Sequence, residues 1–260
     1  MHSNIIPIFD FGKVGEEYYL AEEYILGRTL ESLARKAQDV HGGPLPVELV
    51  LFVAQEALRA LSYAHSRTDE AGAPMGLVHR DITPSNLMVS TRGEVKLLDF
   101  GIAKLPGRAS QTQHGVLKGN IPYMAPEQAR GLPVDARADL FSLGLVLYRC
   151  LAGRALYAAP EVHQSLAKAV DGPGEDDWRA VRALPEPAPR LLCKALQPDP
   201  AMRFASAEEF AAAIPALPRT TEGALAELVQ ELFSDDLRRE QQRLRTAIAS
   251  VVGRLAASTG

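Results

Sequence analysis

Apolar positions along this chain change their spacing several times, and each change marks an element. Residues 5–11 and 18–25 are short apolar or aromatic runs around a turn bearing Gly12 and Gly15, which predicts a β-hairpin. Residues 29–37 predict a short helix, closed by Gly42, Gly43 and Pro44. Over 47–66, Val50, Val53, Ala57, Leu58, Leu61 and Ala64 share one stripe, the mark of a long amphipathic helix. Residues 69–76 form a polar turn with glycine and proline punctuation. Short strands are then predicted at 77–78, 87–89 and 95–98. Beyond Glu127 the pattern turns helical, with 139–152 the most apolar helix. Proline and alanine rise between 158 and 200, as in loops joining short helices. Pro215, Pro218, Thr220 and Thr221 mark a domain end, followed by two expected helices at 224–233 and 234–257.

Composition narrows the class. A chain of 260 residues with 47% hydrophobic and 23% charged positions reads as soluble and globular. Its net charge of −4 gives no electrostatic case for a nucleic-acid partner or a membrane surface. Cys150 and Cys193 lie in apolar helical contexts without metal-ligand spacing, so two buried free thiols in a reducing compartment are expected. No charged-then-apolar leader opens the chain. The longest apolar stretch, 140–151, carries Arg149 and is too short to span a bilayer. The expectation is a cytoplasmic protein with no membrane segment in this chain.

The densest chemistry lies in Leu77-Val78-His79-Arg80-Asp81-Ile82-Thr83-Pro84-Ser85-Asn86. Asp99-Phe100-Gly101 follows eighteen positions after Asp81, and Met124-Ala125-Pro126-Glu127 comes next. This order resembles H-R-D-x-x-x-x-N, D-F-G and A-P-E of eukaryotic-type protein kinases. Pro84 and the run Tyr123 to Glu127 look more like serine/threonine than tyrosine kinases, and within that group like the bacterial ones. The resemblance implies an α+β, protein kinase-like fold: a mostly helical C-terminal lobe with a remnant, about two strands, of the N-terminal β lobe. Residues 1–23 would be that remnant, 24–217 the C-lobe with catalytic loop and activation segment, and 218–260 a helical tail or linker.

The same resemblance implies ATP and Mg2+ as cofactors and a protein substrate with a Ser or Thr acceptor. Phosphates carry dense charge, so the metal needs hard oxygen ligands; Asn86 and Asp99 supply them. Asp81 would orient the attacking hydroxyl and take its proton late. His79 and Arg80 support the loop; either phosphate on Ser110 or Thr112, near Lys104, Arg108 and Lys118, orders the activation segment through Arg80, or that segment is a plain polar loop. Glu23, Tyr24 and Ile25 fall at the hinge whose backbone binds adenine, and Met88 at the apolar floor beneath it. Asp139 would brace the catalytic loop. Arg203 would pair with Glu127, against the plainer reading of two solvated charges.

Four departures qualify the resemblance. No glycine-rich loop and no Val-Ala-x-Lys strand occur, and residues 4–8 already resemble the fourth strand of the small lobe. Thr83 stands where a lysine usually contacts the γ-phosphate, and Asn120 where a threonine bridges to that lysine, so the two are expected as a substituted pair. Glu22 sits at the gatekeeper position, either buried at a cost or solvated. A two-strand remnant leaves apolar faces open, so three expectations stand: the protein begins upstream of Met1, a partner covers the incomplete lobe, or the chain is a degenerate gene remnant. In the tail, Leu225, Leu228, Val229, Leu232 and Phe233 form a stripe that either self-packs or docks a partner.

The leading functional expectation is a Ser/Thr protein kinase represented by an N-terminally truncated chain, with weak or no turnover by the chain alone. A pseudokinase-like scaffold is the alternative. A small-molecule phosphotransferase is disfavoured by Asp99–Gly101 and Ala125–Glu127.

Overall fold

The computed structural model describes residues 2–15, 17–99 and 120–258. Strands β1 (Ile8–Val14) and β2 (Glu17–Glu22) pair antiparallel, with Phe11 opposite Leu20 and Lys13 opposite Tyr18. A short strand β3 (Gly27–Thr29) leads into α1 (Leu30–His41) and α2 (Val47–His65). Strands β4 (Leu87–Ser90) and β5 (Val95–Leu97) complete a second, antiparallel sheet in the order β3-β4-β5. Helices α3 (Pro126–Ala129), α4 (Ala136–Ala152), α5 (Val162–Asp171), α6 (Glu175–Arg182), α7 (Ala188–Ala195), α8 (Ala207–Ala213) and α9 (Thr221–Ser258) follow.

Local chemistry sets these limits. The Thr29 hydroxyl accepts the Ser32 N–H and opens α1, and Gly42 closes it in the left-handed region at φ 71°. Asp135 caps α4 by accepting the N–H of Arg137. Helix α4 is buried almost all round, which makes it the central helix of the domain. Leu58 and Leu61 of α2, Phe141, Leu145 and Tyr148 of α4 and Phe210 of α8 share its core. Cys150 is buried there, and burial pushes its thiol up to about 12. Cys193 is only half-buried, which corrects the expectation of two buried thiols.

Other expectations also change. Residues 77–78 form no strand, because the backbone just beyond them is bound by a carboxylate of α4 instead of a neighbouring strand. Residues 4–6 do not begin the hairpin; they lie along β5. Ile6 N–H donates to Leu97 O at 3.1 Å and Leu97 N–H to Asn4 O at 2.8 Å. The Asn4 amide reaches Glu56 of α2 at 2.7 Å and Val95 O at 2.9 Å.

The tail is one helix, not two: nothing at Phe233-Ser234 breaks it, and the change from apolar to charged residues marks only where it leaves the body. Leu225, Leu228, Val229, Leu232 and Phe233 are buried against that body, so the self-packing reading holds and partner docking by this stripe is excluded. From Gln241 to Val252 every side chain is exposed. The hairpin, by contrast, exposes Phe9 at 66% and Val14 at 71%, the open faces of a two-stranded sheet without cover. No described helix is long and apolar enough to cross a membrane.

Candidate active site

The loop from His79 to Asn86 hangs from one buried carboxylate. Asp139 of α4 accepts the backbone N–H groups of His79 and Arg80, each at 2.8 Å, and His65 Nε2 at 2.8 Å. Asp139 is 1% exposed, and these three donors balance the cost of burying its charge. The brace expected of Asp139 is present; His65, at the end of α2, was not foreseen. Nothing in the apolar period of α2 distinguishes it.

His79 fixes the loop from inside. Its Nδ1 accepts the Asp81 N–H at 3.2 Å, so Nε2 carries the proton and donates to Leu98 O at 2.8 Å. That bond ties the loop to the chain just before Asp99. Arg80 has its side chain exposed and its carbonyl bound by Gln128 Nε2 at 2.6 Å. Arg80 at φ 68° and Asp99 at φ 58° are the non-glycine residues in the left-handed region among those described. Both fall in this site, where such strain is characteristically held.

Asp81 is gripped at both oxygens. Asn86 Nδ2 donates to Oδ2 at 2.9 Å and to the Asp81 carbonyl at 2.8 Å, while Asn120 Nδ2 donates to Oδ1 at 2.6 Å. Burial pushes the Asp81 carboxyl above the ordinary range, and the charge of Asp99 adds to it; the two amides and His79 pull it back only in part. Thr83 is buried, and its hydroxyl has no hydrogen-bond partner among the described residues. The substituted Thr83–Asn120 pair therefore does not form: Asn120 is long enough to reach Asp81 directly.

Around this centre, Asp99 is exposed, and its charge helps to raise the carboxyl of Glu22 after partial burial. Glu22 is exposed as well, which settles its side chain as solvated. Glu23 N–H donates to Pro7 O at 3.1 Å, and its carboxylate pairs with Lys96 Nζ of β5 at 2.6 Å. Among the described residues, no backbone group bonds the Glu23 carbonyl or the Ile25 N–H. Met88 is half-buried on β4, opposite Thr29 on one side and Lys96 on the other. Phe100, Gly101, Lys104, Arg108, Ser110, Thr112 and Lys118 lie outside the described residues.

Below the site, Arg203 and Glu127 form a two-pronged pair at 2.7 and 2.8 Å. The Arg203 side chain is 0% exposed and also donates to the carbonyls of Gln197, Pro198 and Arg137. The reading as two solvated charges is overturned.

A loop carboxylate held by amides, with a second aspartate nearby, suits phosphoryl transfer. The protein kinase domain family matches residues 1–213, and the chain belongs to that family. It is 42% identical over 214 residues to the tyrosine-protein kinase MasK of Myxococcus xanthus, covering 82% of this chain and 33% of that protein. It is 30% identical over 213 residues to the serine/threonine-protein kinase PrkC of Bacillus subtilis, covering 82% of this chain and 31% of that protein. The chain thus spans about a third of the length of these curated relatives. Among solved structures, the PknI kinase domain of Mycobacterium tuberculosis matches with a TM-score of 0.55 and 29% identity, over 82% of this chain and 71% of that one. The fold is protein kinase-like, mostly helical with few strands.

Proposed function

We propose that this chain carries the catalytic core of a protein serine/threonine kinase, which moves the γ-phosphate of ATP to Ser or Thr hydroxyls of a protein substrate. The observation that carries the reading is the Asp81 carboxylate, held at both oxygens by Asn86 and Asn120. So fixed, Asp81 accepts the hydrogen bond of an acceptor hydroxyl and takes its proton as the phosphorus–oxygen bond forms. His79 and Arg80 keep the loop in register, and Thr83 offers an unspent hydroxyl beside it.

The donor set fits Mg2+. Asn86 spends its amide nitrogen on Asp81, which leaves its carbonyl oxygen without a donor among the described residues, and Asp99 adds an exposed carboxylate. Bound there, the ion would offset charge on the nucleotide phosphates. The Glu23 carbonyl and the Ile25 N–H are the hinge groups for adenine, and Met88 is the apolar surface beneath it. Residues 8–22 are read as part of a small lobe that upstream chain or a partner completes; the open face at Phe9 and Val14 supports this.

The test is Asp81→Asn in the 260-residue chain and in a form extended upstream with a small lobe. Labelled ATP and phosphoamino-acid analysis should show phosphoserine and phosphothreonine in the extended form, and none in Asp81→Asn of unchanged fold. Phosphotyrosine alone would transfer the acceptor assignment to that of MasK, the 42% identical relative. A second reading, a scaffold with little catalysis, draws on the same open hairpin face and would be favoured if both forms bind a partner and neither transfers phosphate.

A further inference from the structure

Helix α9 ends its contact with the body at the hinge. Among the described residues of α9, Glu240 is the last that is half-buried, and those after it are exposed. It accepts the Tyr24 hydroxyl at Oε1, 2.5 Å away, and Arg28 Nη1 at Oε2, 2.7 Å away. Seven residues earlier, about two turns of helix, the Phe233 ring lies 5.3 Å from the Arg28 guanidinium carbon. Arg28 also donates to its neighbour's carbonyl, Gly27 O, at 2.6 Å. Two residues of the segment 23–28 are therefore held by a helix more than 200 positions later in sequence.

The electrostatics agree with this geometry. Burial alone would push the Glu240 carboxyl up, but the Tyr24 hydroxyl and Arg28 outweigh it and hold it below the ordinary value, despite the nearby charge of Asp236. Partial burial and the bond to Glu240 push the Tyr24 hydroxyl up to about 12, so it remains a donor at neutral pH.

We propose that Glu240 is a positioning residue of the nucleotide hinge, through which α9 fixes the backbone path of residues 23–28. The inference rests on the reading of Glu23 to Ile25 as the adenine-binding segment. Beyond Glu240, the exposed part of α9 is a lever: whatever bends or binds it reaches the hinge first through the Glu240 carboxylate, with the Phe233 contact on Arg28 behind it. Coupling of this kind is reciprocal, so a nucleotide at the hinge also tightens the grip on α9.

Hydrogen exchange on the full 260-residue chain reads the proposal directly. In Glu240→Ala, amides in 23–29 exchange about fivefold faster. Glu231→Ala, which cuts a different contact of α9, the 2.9 Å pair with His41 of α1, leaves them at the wild-type rate. Tyr24→Phe gives part of the loss and adds nothing further on top of Glu240→Ala. Unchanged hinge exchange in Glu240→Ala, or an equal rise in Glu231→Ala, overturns the proposal. Titration with Mg2+ and a fluorescent ATP analogue separates it from the reading beneath it. Affinity weakened about fivefold in Glu240→Ala, with Glu231→Ala unaffected, supports both. A wild-type chain that binds no analogue even when extended upstream with a small lobe defeats the adenine assignment, and the exchange result still decides whether Glu240 holds the segment. A chain that binds equally well with and without Glu240 defeats the positioning role.

Discussion

Asn120 donates its side-chain amide to Oδ1 of Asp81 at 2.6 Å, while Asn86 takes Oδ2 at 2.9 Å. Both oxygens of one carboxylate are thus held by neutral donors. Amides orient the carboxylate without cancelling its charge, so burial still dominates and the Asp81 carboxyl titrates above the ordinary range.

The acid limb of phosphotransfer should therefore lie above that of an unperturbed aspartate, near pH ~3.9. Asn120→Ala removes one of the influences that lower the Asp81 value, so the limb moves to still higher pH. The neutral-pH rate falls about tenfold through lost orientation, the worth of one hydrogen bond to a charged group. A limb that stays in place in Asn120→Ala, in rates measured from pH 4 to 8 as an approximate range, would sink this assignment.

Stability should run against activity over the same window. A carboxyl whose folded value is raised contributes stability that is fully present below its unfolded value and is lost as pH rises through the folded one. On acidification from neutral pH toward the ordinary aspartate value, Asp81 gains its proton in the folded state first. The fold is stabilised there while transfer stops. Wild-type Tm minus that of Asp81→Asn should rise as pH falls through this window; a flat difference would contradict it.

The buried pair of Arg203 and Glu127 makes a simpler prediction. Removing either partner strands the other as an uncompensated charge, at a cost of about 3–5 kcal/mol. Arg203→Lys should recover little, because an ammonium cannot keep both carboxylate bonds and also reach Gln197 and Pro198. Urea unfolding of the three variants checks it, and a loss under about 1 kcal/mol, the scale of an exposed pair, would mean that the two are solvated after all.

What could be read from the sequence was mostly local. Thr29 and Gly42 bracket α1 because capping chemistry belongs to single residues, and the stripe from Val50 to Ala64 fixes α2 because periodicity needs no partner. The loop from His79 to Asn86 stood out because its chemistry is contiguous. What the sequence hid was held by distance. Strand β3 is three residues with no alternation, and only its partner β4 makes it a strand. His65 and Glu240 look like ordinary helix residues until Asp139 and Tyr24 are brought beside them. The length of the Asn120 side chain, which bypasses Thr83, could be judged only against the actual gap to Asp81.

Gly93 tests how α9 is seated. It turns between β4 and β5 at φ +86°, and a Cβ there would lie 2.2 Å from the backbone oxygen of Glu222 in the first turn of α9. Gly93→Ala therefore meets both a strained conformation and a backbone clash, and should cost about 1–3 kcal/mol. The expected signature is a lower Tm with earlier protease cleavage at the start of α9. An unchanged Tm would mean that the helix is not held against this turn.

The β1–β2 hairpin should be the least stable ordered segment of the described chain. Its two strands share no ladder with β3-β4-β5, and none of its described residues is fully buried. Its side-chain supports include the stacking of Phe11 on Tyr18, with ring centroids 5.8 Å apart, the Lys13 ammonium 5.5 Å from the Tyr18 ring centroid and the Tyr19 hydroxyl on Asp10 at 2.9 Å. Contacts of this kind contribute about 0.5–1.5 kcal/mol each, which does not offset the entropy of ordering an isolated hairpin. Amides of 8–22 should exchange by local opening orders of magnitude faster than those of β4, whose Leu87 and Val89 are fully buried. Supplying a covering small lobe, from upstream chain or in trans, should slow them toward the β4 rate. Hairpin amides already as protected as those of β4 in the 260-residue chain would show that the two strands need no cover, and would remove the physical ground for expecting a completed lobe.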